Sequence, residues 1–402
     1  MSAKNSEINV RLGKIVILGT GGTIAGHAVS ASDNIGYTAA QVGVAELLSA
    51  VPGLQDFPPG SLEAEQVAQL DSKDMDFDVC LKLAQRVAHH LARSDVQGIV
   101  ITHGTDTLEE TAWFLQRVLG QRCAHKPVVL ACAMRPASSS SPDGPQNLQD
   151  AIAVARATAV GSEAGQMAIC GVVAVCAGTV HSALAVQKLH PYRLDAFGSG
   201  DNGPIGFVEE NTLRLVQKPQ DAIVDIGVVA INLEAVNASK IMWPWVEIVT
   251  SHAHATGRGV DALVAAGVEG IVVAATGNGT VHHALEAALL RAQTAGVKVL
   301  RSTRCAQGRV LAKPGDVLAD SQGLSPVKAR IELVLALLAQ SGIESHAVGR
   351  ALSAHSPHPP GPTRRWRCCT CLALRCCWAI WCCWRCGCLA GEWSCRFAHW
   401  PS

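Results

Sequence analysis

The stretch Lys14-Ile-Val-Ile-Leu-Gly-Thr-Gly-Gly-Thr-Ile-Ala-Gly26 determines how the rest of the chain is organised. After Lys14 the residues are apolar and mostly β-branched, which predicts a short strand that is buried on both faces. The glycines that follow allow a sharp turn and leave no Cβ in the way of a ligand. Thr20 and Thr23 place two hydroxyl groups in this turn. Because ligands bind beyond the carboxyl ends of strands in an open parallel sheet, the turn is a candidate site.

A second segment, Gly98-Ile-Val-Ile-Thr-His-Gly-Thr-Asp-Thr107, repeats the pattern of an apolar strand followed by glycine and polar residues. From Glu109 onward the sequence has a helical pattern. Two loops of this kind, each following a parallel strand, can face each other at the same edge of the sheet. We therefore expect one site that is built from both loops.

The alternation of strands and helices predicts the fold class, α/β with a large, doubly wound, parallel-sheet N-terminal domain. Further buried strands are expected at Lys126–Met134 and Gly171–Cys176, and helices at Val42–Val51, Phe77–Leu91 and Asn147–Ala159. Asp71 or Ser72 is a candidate N-cap for the second of these helices. We assign residues 1–212 to this domain and residues 213–223, where polar residues break the period, to a linker.

A smaller α/β C-terminal domain is predicted for residues 224–345. Its strands are expected at Trp245–Thr250, Gly270–Ala275 and Val297–Arg301, and its helices at Gly259–Ala266 and Val281–Thr294. A final helix has Ser325 as its N-cap and Pro326 in its first turn, and it ends at Gly342. The glycine-rich turn Gly277-Asn-Gly-Thr280 is more simply interpreted as structural than as part of a site.

Residues 346–402 differ in composition from the rest of the chain. They hold ten of the sixteen cysteines, seven arginines and a proline cluster at 357–362, and they show neither helical nor strand period. Adjacent pairs such as Cys368-Cys369 lack the two-ligand spacing of zinc sites, so metal binding is the weaker interpretation. We expect this tail to be a disordered or frameshift-derived extension.

Composition argues against several classes of protein. The chain has 402 residues, 49% of them hydrophobic, which is enough to bury the cores of two or three domains. Outside the tail, 26 basic residues stand against 32 acidic ones, so nucleic acid is not an expected partner. The first residues lack the apolar core of a signal peptide, and no run in the body approaches the ~20 apolar residues of a membrane span. We expect a cytoplasmic protein with no membrane partner, whose six cysteines before residue 306 are reduced and buried.

Hydrolysis of an amide is one reaction in which hydroxyl groups of this kind can take part. It requires a nucleophile, a proton acceptor and donors for the developing oxyanion. Because a threonine hydroxyl is a poor nucleophile at neutral pH, a base must lie near it, and the few candidates are Tyr37, Tyr192 and Lys188. Thr105, Lys188 and Asp106 have the logic of nucleophile, base and orienting carboxylate. Lysine acts as a base only where burial or a cationic neighbour lowers its pKa.

Together the two motifs resemble those of the L-asparaginase family, the bacterial glutaminase-asparaginases. The resemblance rests on Thr20-Gly-Gly-Thr-Ile-Ala-Gly26 and His103-Gly-Thr-Asp-Thr107, and it extends from about residue 14 to about residue 340. It implies a two-domain α/β hydrolase that converts L-asparagine to L-aspartate and ammonia without a cofactor or a metal. L-Glutamine is the second candidate substrate.

The resemblance also implies the catalytic residues. Thr20 is the first nucleophile and is assisted by Tyr37 on a mobile segment. Thr105 forms a second catalytic group with Lys188 and Asp106. The sequence match to the family around Lys188 is short, so the assignment of this lysine rests on fewer matching residues than the other assignments.

For substrate binding, the resemblance assigns the α-ammonium group to Asp106 and the α-carboxylate to Ser72. This role of Ser72 competes with its interpretation as a helix cap. Gly21 and Gly104 complete the expected binding set. Lys73 departs from the glutamine that is common in the family, which leaves the preference between asparagine and glutamine open.

The family further implies a homo-oligomer, a tetramer of close dimers, in which the small domain of one subunit completes the site of its neighbour. Segment Ser251–Gly257 is the part that is expected to reach across. Its sequence His252-Ala-His254 stands where some relatives have asparagine, so the contribution of His254 to a neighbouring site is open.

Three alternative functions fit the motifs less well. A dinucleotide site requires G-x-G-x-x-G, but Ile24 occupies the position of the last glycine. A non-catalytic amide sensor would keep Ser72 and Asp106 but would not need both threonines and Lys188. A tRNA-dependent amidotransferase subunit would carry an RNA-binding module and a basic surface, whereas the body of this chain is acidic.

Overall fold

The first motif forms an inner strand of the large sheet, one place from the edge. The computed structural model describes residues 13–157, 168–217, 233 and 241–341. In it, Lys14–Gly21 is strand β1, and the four residues from Ile15 to Leu18 are fully buried. Ile15 and Ile17 pack into one apolar cluster and Val16 and Leu18 into another, because successive side chains of a strand point to opposite faces. The predicted burial of this strand on both faces is confirmed.

The described chain alternates strands and helices in the predicted manner. The other strands are β2 (Leu62–Leu70), β3 (Val96–Thr102), β4 (Val128–Ala131), β5 (Val172–Cys176), β6 (Thr179–Ser182), β7 (Gln187–Lys188), β8 (Phe197–Gly198), β9 (Gly206–Glu209), β10 (Thr212–Leu215), β11 (Val246–Thr250), β12 (Gly270–Ala275), β13 (Lys298–Thr303) and β14 (Ala319–Asp320). The α-helices are α1 (Val44–Ala50), α2 (Phe77–Leu91), α3 (Leu108–Leu119), α4 (Gly144–Arg156), α5 (Arg258–Ala265), α6 (His283–Thr294) and α7 (Pro326–Gln340).

The large sheet has eight strands in the order β10-β9-β6-β5-β4-β3-β1-β2. Strands β2, β1, β3, β4 and β5 are parallel, and β6, β9 and β10 add an antiparallel edge. Helices α2 and α3 pack on one face of the sheet, and α1 and α4 pack on the other. The predicted doubly wound α/β fold is therefore confirmed, with an antiparallel edge that is common in such sheets.

The second domain is built on a four-stranded parallel sheet in the order β11-β12-β13-β14. Helices α5 and α6 cover one of its faces. Helix α7 packs on the other, where Val334 and Leu335 join one apolar cluster with Val272 of β12 and Phe114 of α3. Since this cluster extends to the large sheet, α7 belongs to the cores of both domains.

The predicted cap of α2 was wrong. Asp76 caps this helix, because its carboxylate accepts a hydrogen bond of 2.8 Å from the Val79 N–H. Asp71 instead caps a 3₁₀ turn at Ser72–Asp74. The chain makes this additional turn before α2 begins, which moves the capping position along by one turn.

The first residues of the predicted linker form a strand. Thr212–Leu215 pairs with Gly206–Glu209 as an antiparallel hairpin at the edge of the large sheet. Most of its residues are exposed, so the sequence has no apolar period to indicate a strand there. Residues 218–223 of the linker, Gly342 and the tail at 346–402 lie outside the described residues.

The cysteines before residue 306 are all free, as predicted, but they are not all buried. Cys80, Cys123, Cys132 and Cys176 are buried, Cys170 is half-buried, and Cys305 is exposed. Among the described residues, none of the helices combines the length and apolarity that a membrane crossing requires.

Candidate active site

Thr20 lies at the carboxyl end of β1, beside the neighbouring strand β3. Its Oγ1 donates a hydrogen bond of 2.8 Å to the main-chain carbonyl of Thr102, and the residue is only 2% exposed. The parallel pairing of β1 with β3 sets Gly19 opposite Thr102. The two motif loops therefore leave the sheet side by side, as their sequences predict.

Glycines allow these loops to touch each other. Gly22 has a φ of 82°, in the left-handed region, and a Cβ on it would collide with the backbone of Gly104. A Cβ on Gly104 would in turn lie 2.6 Å from the Cβ of Ser72, closer than two carbon atoms approach. Gly21 has a φ of 100° and packs with no room for a Cβ against the Leu70 carbonyl. The loops after β1, β2 and β3 thus converge at these glycines.

Tyr37 contacts the first motif through Thr23. The two hydroxyl oxygens are 2.7 Å apart, and either of them can donate. The segment that carries Tyr37 is closed by main-chain hydrogen bonds of 2.9 Å between His27 and Thr38. Within the described chain, Tyr37 makes no hydrogen bond to Thr20. The structure therefore brings Tyr37 to the motif at Thr23, a partner for which the sequence offers no signal.

Lys188 joins the two polar residues of the second motif. Its Nζ lies 2.8 Å from Thr105 Oγ1 and 2.6 Å from Asp106 Oδ1. Lys188 is part of the short strand β7, which pairs with β8. The side chain of Lys188 is 18% exposed, whereas that of Asp106 is 54% exposed. The structure thus brings these three residues together although the lysine is 82 positions from the aspartate in sequence.

Ser72 faces the second motif and does not cap a helix. The main-chain N–H of Asp106 donates to Ser72 Oγ at 3.2 Å. Thr107 Oγ1 donates to the Ser72 carbonyl at 2.8 Å. Ser72 is 2% exposed and is held from both sides. The two residues that are predicted to take the ends of an amino acid, Ser72 and Asp106, are thus adjacent.

Lys73, the departure from the family pattern, is engaged by its own turn. Its Nζ lies 2.8 Å from Asp71 Oδ2 and 3.1 Å from Asp74 Oδ2, and its side chain is 60% exposed. The hydrogen bond that Lys73 donates to Asp71, followed by the one it donates to Asp74, raises the pKa of Lys73 above its usual value. The lysine is therefore charged at neutral pH, but two carboxylates balance that charge locally.

His103 has no predicted role, yet it is fully buried next to Gly104. Burial lowers the pKa of His103 to about 4, so the ring is neutral at pH 7. Its Nδ1 lies 2.7 Å from the Gly104 carbonyl, and since a carbonyl only accepts, this nitrogen carries the proton. His103 in its neutral form therefore anchors the glycine loop. In the sequence, its position directly before a glycine at the end of a strand is the feature that marks it as part of the loop.

The chemistry of the site follows from these groups. It combines buried hydroxyls, a lysine between a hydroxyl and a carboxylate, and main-chain groups of glycine loops. Within the described ranges, no cluster of three or more His, Cys, Asp or Glu side chains is arranged to hold a metal ion. Such a set suits acyl transfer to a hydroxyl nucleophile. Fold and site together define a two-domain α/β protein with a hydroxyl-based site at the carboxyl edge of its large sheet.

Comparison with known protein families assigns both domains. Residues 14–221 match the family described as "Asparaginase, N-terminal", and residues 245–347 match the "Glutaminase/Asparaginase C-terminal domain". The chain belongs to the asparaginase family.

Individual relatives resemble the chain over most of its length. L-asparaginase 2 of Bacillus subtilis is 37% identical over 341 residues, which are 84% of this chain and 86% of the relative. A glutaminase-asparaginase of Pseudomonas fluorescens biotype A is 35% identical, with coverage of 83% and 89%. The solved structure of a probable cytoplasmic L-asparaginase from Campylobacter jejuni matches with a TM-score of 0.70 and 34% identity, and the match covers 83% of this chain and 97% of that one.

The contact between the loops predicts the effect of Gly104→Ala. The added Cβ must displace Ser72 or separate Gly104 from Gly22, so we expect kcat/KM for the amide substrate to fall about 10- to 100-fold, as small misplacements in active sites do. Gly259→Ala is the matched control, because it lies in α5 and its added Cβ has no neighbour within 4 Å. Steady-state kinetics of both variants, with thermal melts, test this. Unchanged kcat/KM in a folded Gly104→Ala protein would show that the loops do not need this contact.

Proposed function

We propose that the protein hydrolyses L-asparagine to L-aspartate and ammonia. The observation that carries the proposal is the arrangement of Lys188 between Thr105 and Asp106, next to a loop that presents Thr20. Membership of the asparaginase family supports the same reaction. The relatives named L-asparaginase and glutaminase-asparaginase support it further.

Thr20 is the proposed first nucleophile. Its hydroxyl donates to the Thr102 carbonyl, a bond that holds the side chain in one orientation but takes no proton from it. Attack on an amide therefore requires the hydroxyl to turn toward an acceptor when substrate binds. Tyr37, hydrogen-bonded to Thr23 three residues along the same loop, is the proposed assistant.

Thr105, Lys188 and Asp106 form the proposed proton-transfer group. Lys188 Nζ contacts both partners; after it has lost one proton, the neutral amine can take the proton of the Thr105 hydroxyl while Asp106 orients it. Thr105 is 5% exposed, so its hydroxyl is shielded from bulk water. The group has the relay logic of a catalytic triad with lysine in place of histidine.

The proposed binding groups surround Asp106. Its Oδ1 is engaged by Lys188, and within the described chain its other oxygen has no hydrogen-bond partner, so it can accept from the α-ammonium group of the substrate. Ser72 Oγ, next to the Asp106 N–H, is the proposed contact of the α-carboxylate. Gly21 and Gly104 let the backbone approach the substrate without a side chain.

L-Glutamine is the proposed second substrate. The relative from Pseudomonas fluorescens is named a glutaminase-asparaginase, and Lys73 stands near Ser72 with its charge balanced by Asp71 and Asp74. Because that charge is balanced, we expect Lys73 to affect the preference between the two amides only weakly. The ratio of kcat/KM values for the two substrates measures it.

The first experiment is an ammonia-release assay with free L-asparagine. We expect turnover without any added RNA and no increase when tRNA is supplied. A non-catalytic sensor would bind asparagine without releasing ammonia. An amidotransferase subunit would act only with its tRNA partner. Either result would overturn the proposed reaction.

The two threonines are expected to differ in the kind of defect they cause. Thr20→Val should abolish both hydrolysis and acyl transfer to hydroxylamine, because no acyl-enzyme forms. Thr105→Val should reduce kcat by roughly 10²–10⁴-fold, the usual loss of general acid–base help, with little change in substrate binding. Asp106→Ala should instead raise KM strongly, because the α-ammonium group loses its partner.

Hydroxylamine trapping and stopped-flow measurements distinguish these defects. Thr294→Val is the matched control, because the Thr294 hydroxyl donates only to the Leu290 carbonyl of its own helix. This variant should behave as wild type. Aspartyl hydroxamate formed by Thr20→Val would assign the nucleophile to Thr105 or to water and reverse the roles.

We further propose a cytoplasmic homotetramer in which segment Ser251–Gly257 of one subunit reaches the site of its neighbour. The cytoplasmic part rests on the likeness to the Campylobacter jejuni protein, and the tetramer on the family resemblance. Dilution should then reduce activity and mass together in light scattering. A fully active monomer would rule the shared site out.

A further inference from the structure

Lys328 crosses from the small domain into the large one. It lies in the first turns of α7 and is only 2% exposed. Its Nζ donates hydrogen bonds of 2.7 Å to the Leu184 carbonyl and 2.6 Å to the Val186 carbonyl. Both carbonyls belong to the segment that runs directly into β7, the strand that carries Lys188.

The main chain that leads into Lys188 is thereby held at more than one point. Val186, two residues before it, accepts from Lys328 and also donates its N–H to the Ser182 carbonyl at 2.8 Å. The main-chain N–H of Lys188 itself donates to Glu109 Oε1 at 3.4 Å. The Nζ contacts of Lys188, at 2.6 and 2.8 Å, would be lost if this segment moved by about 1 Å, since hydrogen bonds tolerate little lengthening.

We propose that Lys328 is a positioning residue for catalysis, which holds the segment 184–186 so that Lys188 reaches Thr105 and Asp106. The inference rests on the proposed role of Lys188 in amide hydrolysis. The hydrogen bonds of Lys328 go to main-chain carbonyls, so we infer that it acts on Lys188 through the main chain. It makes the last helix of the small domain a part of the catalytic apparatus of the large domain.

The positive charge of Lys328 strengthens this anchor. Hydrogen bonds from a charged donor are roughly twice as strong as neutral ones. Burial lowers the pKa of Lys328 to about 8, and the charge of Glu109 on α3 acts in the opposite direction. Below this pKa the ammonium is present, and as pH rises through it the anchor weakens. Activity should therefore decline on the alkaline side.

Other titratable and charged groups also lie around Lys328. Burial, followed by the charge of Lys328, lowers the pKa of His181 on β6 to about 4, so this ring is neutral throughout the range. Asp201, Cys305 and Arg309 share with Lys328 the wall of a cavity of about 420 Å³ between the two domains. On α7 itself, Arg330 donates to the Val246 carbonyl and Glu332 pairs with Arg117 of α3.

Lys328→Met tests the proposal against a closely matched control. Lys126 also donates from Nζ to two main-chain carbonyls, those of Leu91 at 2.7 Å and Arg93 at 2.6 Å, but it precedes β4 at the opposite edge of the sheet from the site. We expect Lys328→Met to lower kcat about 10- to 100-fold with KM nearly unchanged. Lys126→Met should keep the wild-type kcat.

Coupling to Lys188 separates positioning from a general structural effect. If Lys328 acts only through Lys188, adding Lys328→Met to a Lys188→Met protein should cause no further loss, so the two changes are non-additive. Full additivity would overturn the proposal. A Lys188→Met enzyme with the wild-type rate would refute the role of Lys188 and this inference with it. An inactive Lys188→Met enzyme beside a fully active Lys328→Met enzyme would overturn the inference alone.

Glu109→Gln provides a second measurement that leaves Lys328 in place. Glutamine still accepts from the Lys188 N–H but removes the charge that favours the Lys328 ammonium. In the Glu109→Gln enzyme, the alkaline decline of kcat should therefore begin at lower pH than in the wild type. In the Lys328→Met enzyme this decline should be absent. If Lys328→Met does not fold, the pH dependence of kcat in Glu109→Gln is the test. An alkaline decline at the same pH as in the wild type would contradict the proposal.

Discussion

The close approach of Gly22 to Gly104 is the constraint on which the rest of the site depends. Backbone meets backbone there, so neither position has room for a Cβ, and Ser72 packs against the same point. The approach exists because β1 and β3 are parallel neighbours in register, with Gly19 opposite Thr102. It places the buried hydroxyl of Thr20 and the Lys188 contact of Thr105 at one edge of the sheet. The geometry of the site is thus set by main chain, which is less free to move than side chains on a surface loop.

Much of the fold could be predicted from the sequence because its strands are buried on both faces. Runs such as Ile15–Leu18 have no polar residue to confuse them with loops, and glycines mark where they end. The hairpin strand Thr212–Leu215 could not be predicted, because an exposed edge strand has no apolar period. The prediction of the N-cap of α2 was wrong for a local reason. An extra 3₁₀ turn at Ser72–Asp74 precedes the helix, and this turn contacts the loop after β3.

Some residues of the candidate site could be predicted from the sequence, and others could not. The motif residues lie together at the sheet edge, and Lys188 contacts Thr105 and Asp106, although the roles of all three stay proposals. Tyr37 contacts Thr23, which only the folded segment could reveal. Lys328 was missed because a single lysine in a helix usually marks a solvated face. Its spacing from the buried Ile331, Leu335 and Leu338 puts it on the apolar face of α7, and that is a readable signal.

The dual packing of α7 has a consequence for biosynthesis. The helix belongs to the cores of both domains, and it is the last helix of the described chain. A ribosome releases the large sheet, with both motif loops, long before it releases Pro326–Gln340. Domains fold as units during synthesis, N-terminal first. Until α7 emerges, the nascent large domain therefore has an uncovered apolar face, and the segment before Lys188 lacks its anchor. The site matures only after α7 has emerged from the ribosome.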